Sequence, residues 1–201
     1  MAFSRILNVS VLVASALVAL ASFRFLALDL SLAFPEFGAH IINRKFVLMT
    51  HIVAAPFALL AGMVQFLPEF RQASLGRHRI LGRIYVLAVG MGSVSGLLLG
   101  INALGGPLAG AGFFLLAVLW MGTTANAVRH ALAKNISTHR EWMIRSFALT
   151  FAAVTLRAYL PFFFMSGMSY TQASVFLAWL CWIPNLMLAE LWIARRKRVT
   201  T

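Results

Sequence analysis

The chain has 201 residues, 61% of them hydrophobic and 11% charged, with a formal net charge of +12. A soluble domain of this size carries about 25% charged residues, so the composition excludes a water-facing globule. Apolar runs of about 20 residues, long enough for a hydrocarbon core of roughly 30 Å, predict a polytopic membrane protein instead, with no stretch left over for a soluble domain.

Six membrane helices are predicted, at about 6–30, 46–67, 80–101, 107–128, 142–164 and 172–194. The expected fold is therefore an all-α, polytopic transmembrane bundle that forms one domain over residues 1–201. Span one, within "SRILNVSVLVASALVALAS", places Asn8, Ser15, Ser22 and Asp29 at seven-residue intervals. Its basic start, apolar middle and Ala-x-Ala ending at Ala21 also resemble a cleavable signal peptide. Against cleavage, the apolar run continues to Leu30.

Span two carries a stripe of small and polar residues: His51, Ala55, Ala58, Gly62 and Gln65, one helix face. "HRILGRIY" opens span three, which then shows Gly92, Gly96 and Gly100, a doubled small-xxx-small pattern that permits close helix approach. "NALGGP" is short and Gly/Pro-punctuated and predicts a tight hairpin into span four, where Thr123 and Asn126 share a face. "HREWMIRSF" opens span five, with Ser146, Thr150, Ala153 and Arg157 on one stripe. If that helix starts early, His139 joins them, because 18 residues make about five turns. "SGMSYTQ" leads into span six without a charge, and the chain ends in "ARRKRVTT".

Lysine and arginine set the expected orientation. Arg5, Arg71, Arg77, Arg79, Arg83, Arg129, Lys134, Arg140, Arg145 and the tail cations Arg195, Arg196, Lys197 and Arg198 fall on one side, against Arg24, Arg44, Lys45 and Arg157. By the positive-inside rule both termini lie in the cytoplasm, which suits a multi-pass protein of a bacterial inner (plasma) membrane. Cations confined to short connections are loop anchors, so nucleic acid is not an expected partner. The lone Cys181 excludes an intramolecular disulfide and a multi-cysteine metal site.

Two clusters stand out. The first is an outer-half set of His51, Arg157 and Asp29. Arg157 lies ~10 Å and His51 ~8 Å inside the outer helix ends at the rise of an α-helix, so they share a level. A mid-span arginine costs at least roughly 2.5 kcal/mol without compensation. The plainer reading is that Asp29 and Arg157 neutralise each other. The second cluster is at the inner ends. His78-Arg79 and His139-Arg140 open their spans 61 residues apart, with Arg83 and Arg145 further along, which reads as a weakly duplicated two-helix unit. Two histidines at one depth on different helices could clasp a haem iron, with arginines on its propionates; His130 is a spare. The plainer reading is that these groups anchor phosphate headgroups, with Trp142 and Tyr85 in the interfacial belt. His40 reads as solvated. Glu69, Glu141 and Glu190, three of only five acids, flank inner ends, so a carboxylate-bridged metal site is not expected. There is no phosphate-binding glycine loop and no nucleophile elbow.

His51, Gln65-Phe66, "HRILGRIY", Trp120 and "HREWMIRSFALTFAAVTLR" together resemble a family of uncharacterised bacterial multi-pass membrane proteins that carry a domain of unknown function, over about residues 45–165. The resemblance implies several membrane helices and no established activity. It marks His51, His78, Arg83, His139, Trp142, Arg145 and Arg157 as motif positions. More loosely, the chain is similar to ascorbate-linked six-helix dihaem cytochromes, which place a histidine pair at each membrane face. Only the pair His78 and His139 can be drawn here. Opposite His51 a methionine such as Met165 or Met168 would have to serve.

The leading functional expectation is a haem- or quinone-linked redox protein. It would use His78 and His139 as axial ligands to haem b or as proton carriers, with Arg83 and Arg145 near propionates. The alternatives are a small-solute or proton transporter with a His51/Arg157 cavity, and a non-catalytic subunit of a membrane complex. Expected partners are the lipid bilayer, a quinone or other small molecule, and a second copy or larger assembly; whether the chain is an enzyme stays open.

Overall fold

In lipid every backbone N–H and C=O must be satisfied within its own segment, which leaves the helix as the spanning element of a chain this apolar. A computed structural model describes residues 2–29 and 35–200. The side chains of residues 2–8, 35, 39, 40, 68, 71, 199 and 200 lie outside the description, and with them the expectations for Asn8 and His40.

The described elements are helical throughout: α1 (Ala2–Phe23), α2 (Gly38–Gln65), α3 (Pro68–Ala73), α4 (Leu75–Gly100), α5 (Gly106–Leu132), α6 (Ile136–Thr150), α7 (Ala152–Met165), α8 (Tyr170–Leu180) and α9 (Ile183–Thr200), with 3-10 turns at Arg24–Leu26 and Pro35–Phe37. Six stretches are long and apolar enough to cross a membrane: Val9–Leu26, Ile41–Gln65, Leu75–Gly100, Gly106–Leu132, Ile136–Met165 and Tyr170–Arg198. The all-α, six-span expectation holds.

Two departures from the predicted elements are informative. Span five starts earlier than its apolar run, at Ile136, because Lys134 takes a left-handed turn (φ 59°) after α5 and a new helix begins after Asn135. Spans five and six are each broken in two, at Phe151 and at Cys181–Trp182. Pro184 explains the second break. It has no N–H to give the Leu180 carbonyl, so the hydrogen-bond ladder is interrupted there. At Phe151 the turn tightens, with the Val154 N–H on the Phe151 carbonyl at 2.9 Å. The Thr155 hydroxyl also bonds the Phe151 and Ala152 carbonyls, the kind of back-bonding that bends helices.

The chain divides into two compact units, Met1–Ser95 and Gly96–Thr201. In the first, α1 packs along α2. Ser15, Ala19 and Ser22 of α1 are buried, and Phe23 meets Phe57 edge to face at 5.3 Å. Ser22 turns its hydroxyl back to the Val18 carbonyl at 2.7 Å. In the second unit, α5 is central: α6 packs against one flank and α8 against another, while α9 packs on α6 and α7 on α8. Glycine permits the tightest of these approaches. A Cβ on Gly112 would lie 2.7 Å from the Ala178 carbonyl oxygen, and one on Gly110 would lie 2.7 Å from that of Gly100.

Because Gly112 meets backbone rather than a flexible side chain, Gly112→Val is expected to destabilise by about 1–3 kcal/mol. Gly122→Ala, where a Cβ meets nothing within 4 Å, is expected to be neutral or slightly stabilising. Thermal unfolding of both variants in detergent micelles checks the pair.

Candidate functional site

The α5–α6 hairpin is held by hydrogen bonds that side chains make across it. Trp120 Nε1 donates to Thr150 Oγ1 at 2.8 Å, the Thr124 and Ser146 hydroxyls meet at 2.6 Å, and His139 Nδ1 faces the Ala127 carbonyl at 2.8 Å. On α5 the participants are spaced i, i+4, i+7. On α6, Ser146 and Thr150 lie about two and three turns from His139, so each helix offers a single stripe. The early start of α6 brings His139 onto the stripe of Ser146 and Thr150. Thr123, which the sequence places on one face with Asn126, bonds the Leu119 and Trp120 carbonyls of its own helix.

A carbonyl oxygen can only accept, so the His139 nitrogen that faces Ala127 carries the proton. In the neutral ring Nε2 then holds the lone pair, the atom that binds a metal or takes a proton. His139 is half-buried at the fourth position of α6, and its neighbour Arg140 is exposed.

Arg145 lies on a different face of α6. Its Nε and Nη2 reach the two Glu190 oxygens of α9 at 2.5 and 2.8 Å, a bidentate pair, and its guanidinium stacks over Trp142 at 4.7 Å. Glu141 is 4.0 Å from Arg145 and 2.9 Å from Lys197. The cation expected near a propionate is thus engaged by a protein carboxylate.

In the first unit the two histidines of interest occupy separate places. His51 of α2 faces the Gly92 carbonyl through Nδ1 at 3.1 Å, with Ser95 Oγ at 3.3 Å. Ser95 Oγ in turn donates to Met91 and Gly92. His78 sits at the fourth position of α4, matching the place of His139 in α6. Its carbonyl receives Gln65 Nε2 at 2.8 Å, which ties the end of α2 to the start of α4. Gly92 lies 14 residues beyond His78 on one helix, ~21 Å. His51 and His78 therefore do not share a site. Arg83 is exposed on α4, and Asp29 is exposed past α1.

A further polar cluster sits where the breaks in spans five and six meet. Asn185 Nδ2 donates to the Cys181 carbonyl at 2.9 Å, to Thr155 Oγ1 at 3.1 Å and to the Ala148 carbonyl at 3.3 Å, while the Thr155 hydroxyl also bonds the Cys181 carbonyl. Sequence reading passed over Thr155 and Asn185. The available signal was Pro184 inside an apolar run with an amide beside it. Arg157 is exposed on α7, two turns from Phe151, with Nη1 on the Ala153 carbonyl at 2.9 Å. It does not extend the buried stripe of Ser146 and Thr150, because the break intervenes. Among the described residues no group of three or more His, Cys, Asp or Glu side chains could hold a metal ion.

Removing one partner of a hydrogen bond between membrane helices costs about 0.6 kcal/mol on average and up to about 1.7. Thr124→Val is expected at the upper end, given the 2.6 Å contact. Its effect should shrink when Ser146 is already alanine, leaving what the Thr124 bond to the Trp120 carbonyl contributes. A double-mutant cycle by denaturant unfolding in mixed micelles measures this, and additive losses would show that the two hydroxyls do not interact.

No curated protein and no solved structure matches the chain significantly, so neither lends support to the likeness with six-helix cytochromes. One family profile does match, over residues 48–193, which include the α5–α6 seam, both His-Arg pairs, the paired breaks and Glu190. The chain belongs to the family described as predicted membrane protein (DUF2306).

Proposed function

We propose that the protein is a membrane-embedded redox protein in which His139 presents Nε2 to a haem iron or to a quinone oxygen. One observation carries this reading: the 2.8 Å contact of His139 Nδ1 with the Ala127 carbonyl. Histidines that bind metals typically donate their second ring N–H to a carbonyl or carboxylate, which fixes the tautomer and raises the basicity of the ligand nitrogen. His51 repeats the arrangement on Gly92. His78 and Arg83 keep their assignment as candidate ligand and candidate carboxylate partner within the first unit. Arg145 leaves the set, because Glu190 holds its guanidinium. A haem would supply one-electron transfer; a quinol would give up its hydroxyl proton to His139 Nε2. With the cation excess at the ends carrying His78, His139 and the tail, both termini face the cytoplasm in this reading and the protein lies in the inner membrane.

The paired breaks favour a second reading, a small-solute or proton transporter. Interrupted helices that meet within the membrane expose backbone groups of the kind that bind substrates and coupling ions. In this version Asn185 and Thr155 take over from Arg157 as the polar lining.

Absorbance spectra of the purified protein, oxidised and reduced, decide first. The haem version expects a Soret band, a positive pyridine haemochrome and loss of more than nine-tenths of the haem in His139→Ala; a featureless spectrum removes it. The quinone version expects co-purified quinone that His139→Ala fails to retain. The transporter version expects neither, and instead proton or solute flux into proteoliposomes that Asn185→Leu lowers at least tenfold.

A further inference from the structure

Beyond the α5–α6 seam, α9 has an outer face that the redox reading does not use. A groove of about 380 Å³ runs along it, lined by Trp182, Ile183, Leu186, Met187, Glu190 and Leu191. Every lining residue except Glu190 is apolar, and Glu190 is held by Arg145. From Trp182 to Leu191 the groove measures ~14 Å at the helical rise. That is about half of a hydrocarbon core of roughly 30 Å, the depth of one leaflet. Met187, Leu191, Arg195 and Arg198 continue along one helix face at i, i+4, i+8 and i+11. Arg195 and Arg198 therefore stand ~6 and ~10 Å beyond the last apolar residue of the groove. Both are exposed, as is Arg196, which stacks over Trp192 at 4.6 Å. The acids that face this end, Glu141 and Glu190, are held by Lys197 and Arg145.

We propose that this face of α9 binds one anionic phospholipid, with an acyl chain in the groove and its phosphate against Arg195 and Arg198. The order along the helix, one leaflet of apolar groove and then two cations, fits an anionic amphiphile. A neutral quinone would leave the cations unused. A second copy of the chain would bring like charge against like charge.

Native mass spectrometry of the detergent-purified protein tests this, with phosphatidylglycerol and phosphatidylcholine of identical chains as probes. At about fivefold per surface cation, phosphatidylglycerol is expected to bind Arg195→Gln/Arg198→Gln roughly thirtyfold more weakly than wild type. Phosphatidylcholine should bind the two proteins alike. The charge-preserving Arg195→Lys/Arg198→Lys variant should keep most of the preference, and Met187→Gln should weaken both lipids. Millimolar inorganic phosphate should not compete. Equal binding of the two lipids, a preference that survives the glutamine variant, displacement by phosphate, or a quinone or second copy occupying the groove would each overturn the proposal.

Discussion

Within a hydrocarbon medium a hydroxyl or imidazole has no water to turn to, and the second unit is organised by where its polar side chains find partners. Helix α6 makes this plain because it carries two stripes. His139, Ser146 and Thr150 face α5, where Ala127, Thr124 and Trp120 receive them. Glu141, Arg145 and Ala148, at i, i+4 and i+7 on another face, meet Lys197, Glu190 and Asn185 of α9. The rotation of α6 is therefore determined twice, once by each neighbour. That rotation fixes the ring of His139 against a carbonyl and turns Arg145 away from it.

The first unit uses glycine for a similar purpose. In the sequence Gly92 looks like one member of a packing seam. In the structure its carbonyl accepts from His51. Close approach and hydrogen bonding are one feature here. Gln65 does related work at the other end of α2. Its buried amide on the His78 carbonyl sets how the short connection through α3 returns the chain to α4.

Much of this was legible beforehand. Hydropathy located the six spans, and the stripe of span two contains His51 and Gln65, both of which reach across to α4. Helical spacing also anticipated that His139 would join Ser146 and Thr150 if α6 began early. What escaped were features that depend on a partner. Thr123 and Thr124 are adjacent, and periodicity alone does not say which of them faces α6. The break at Phe151 has no proline to announce it and rests on Thr155 bonding the turn before it. Arg157 sat on the predicted stripe only as long as the helix was assumed to run through that break. Asn185 drew no reading from the sequence, whereas its amide reaches three acceptors on two segments.

The breaks also bear on how such a chain enters a bilayer. At 1.5 Å per residue, α6 and α7 are each ~22 Å long or less, and α8 is ~16 Å, all short of a hydrocarbon core. None can be recognised as a complete span by itself. The most polar of them, α6, with His139, Arg140, Glu141 and Arg145 in its first ten residues, must be carried across by the phenylalanine-rich α7 that follows it. During biosynthesis span five is thus a composite, complete only once its second half has left the ribosome. The bonds to α5 are then what can keep its charged first half from slipping back into water.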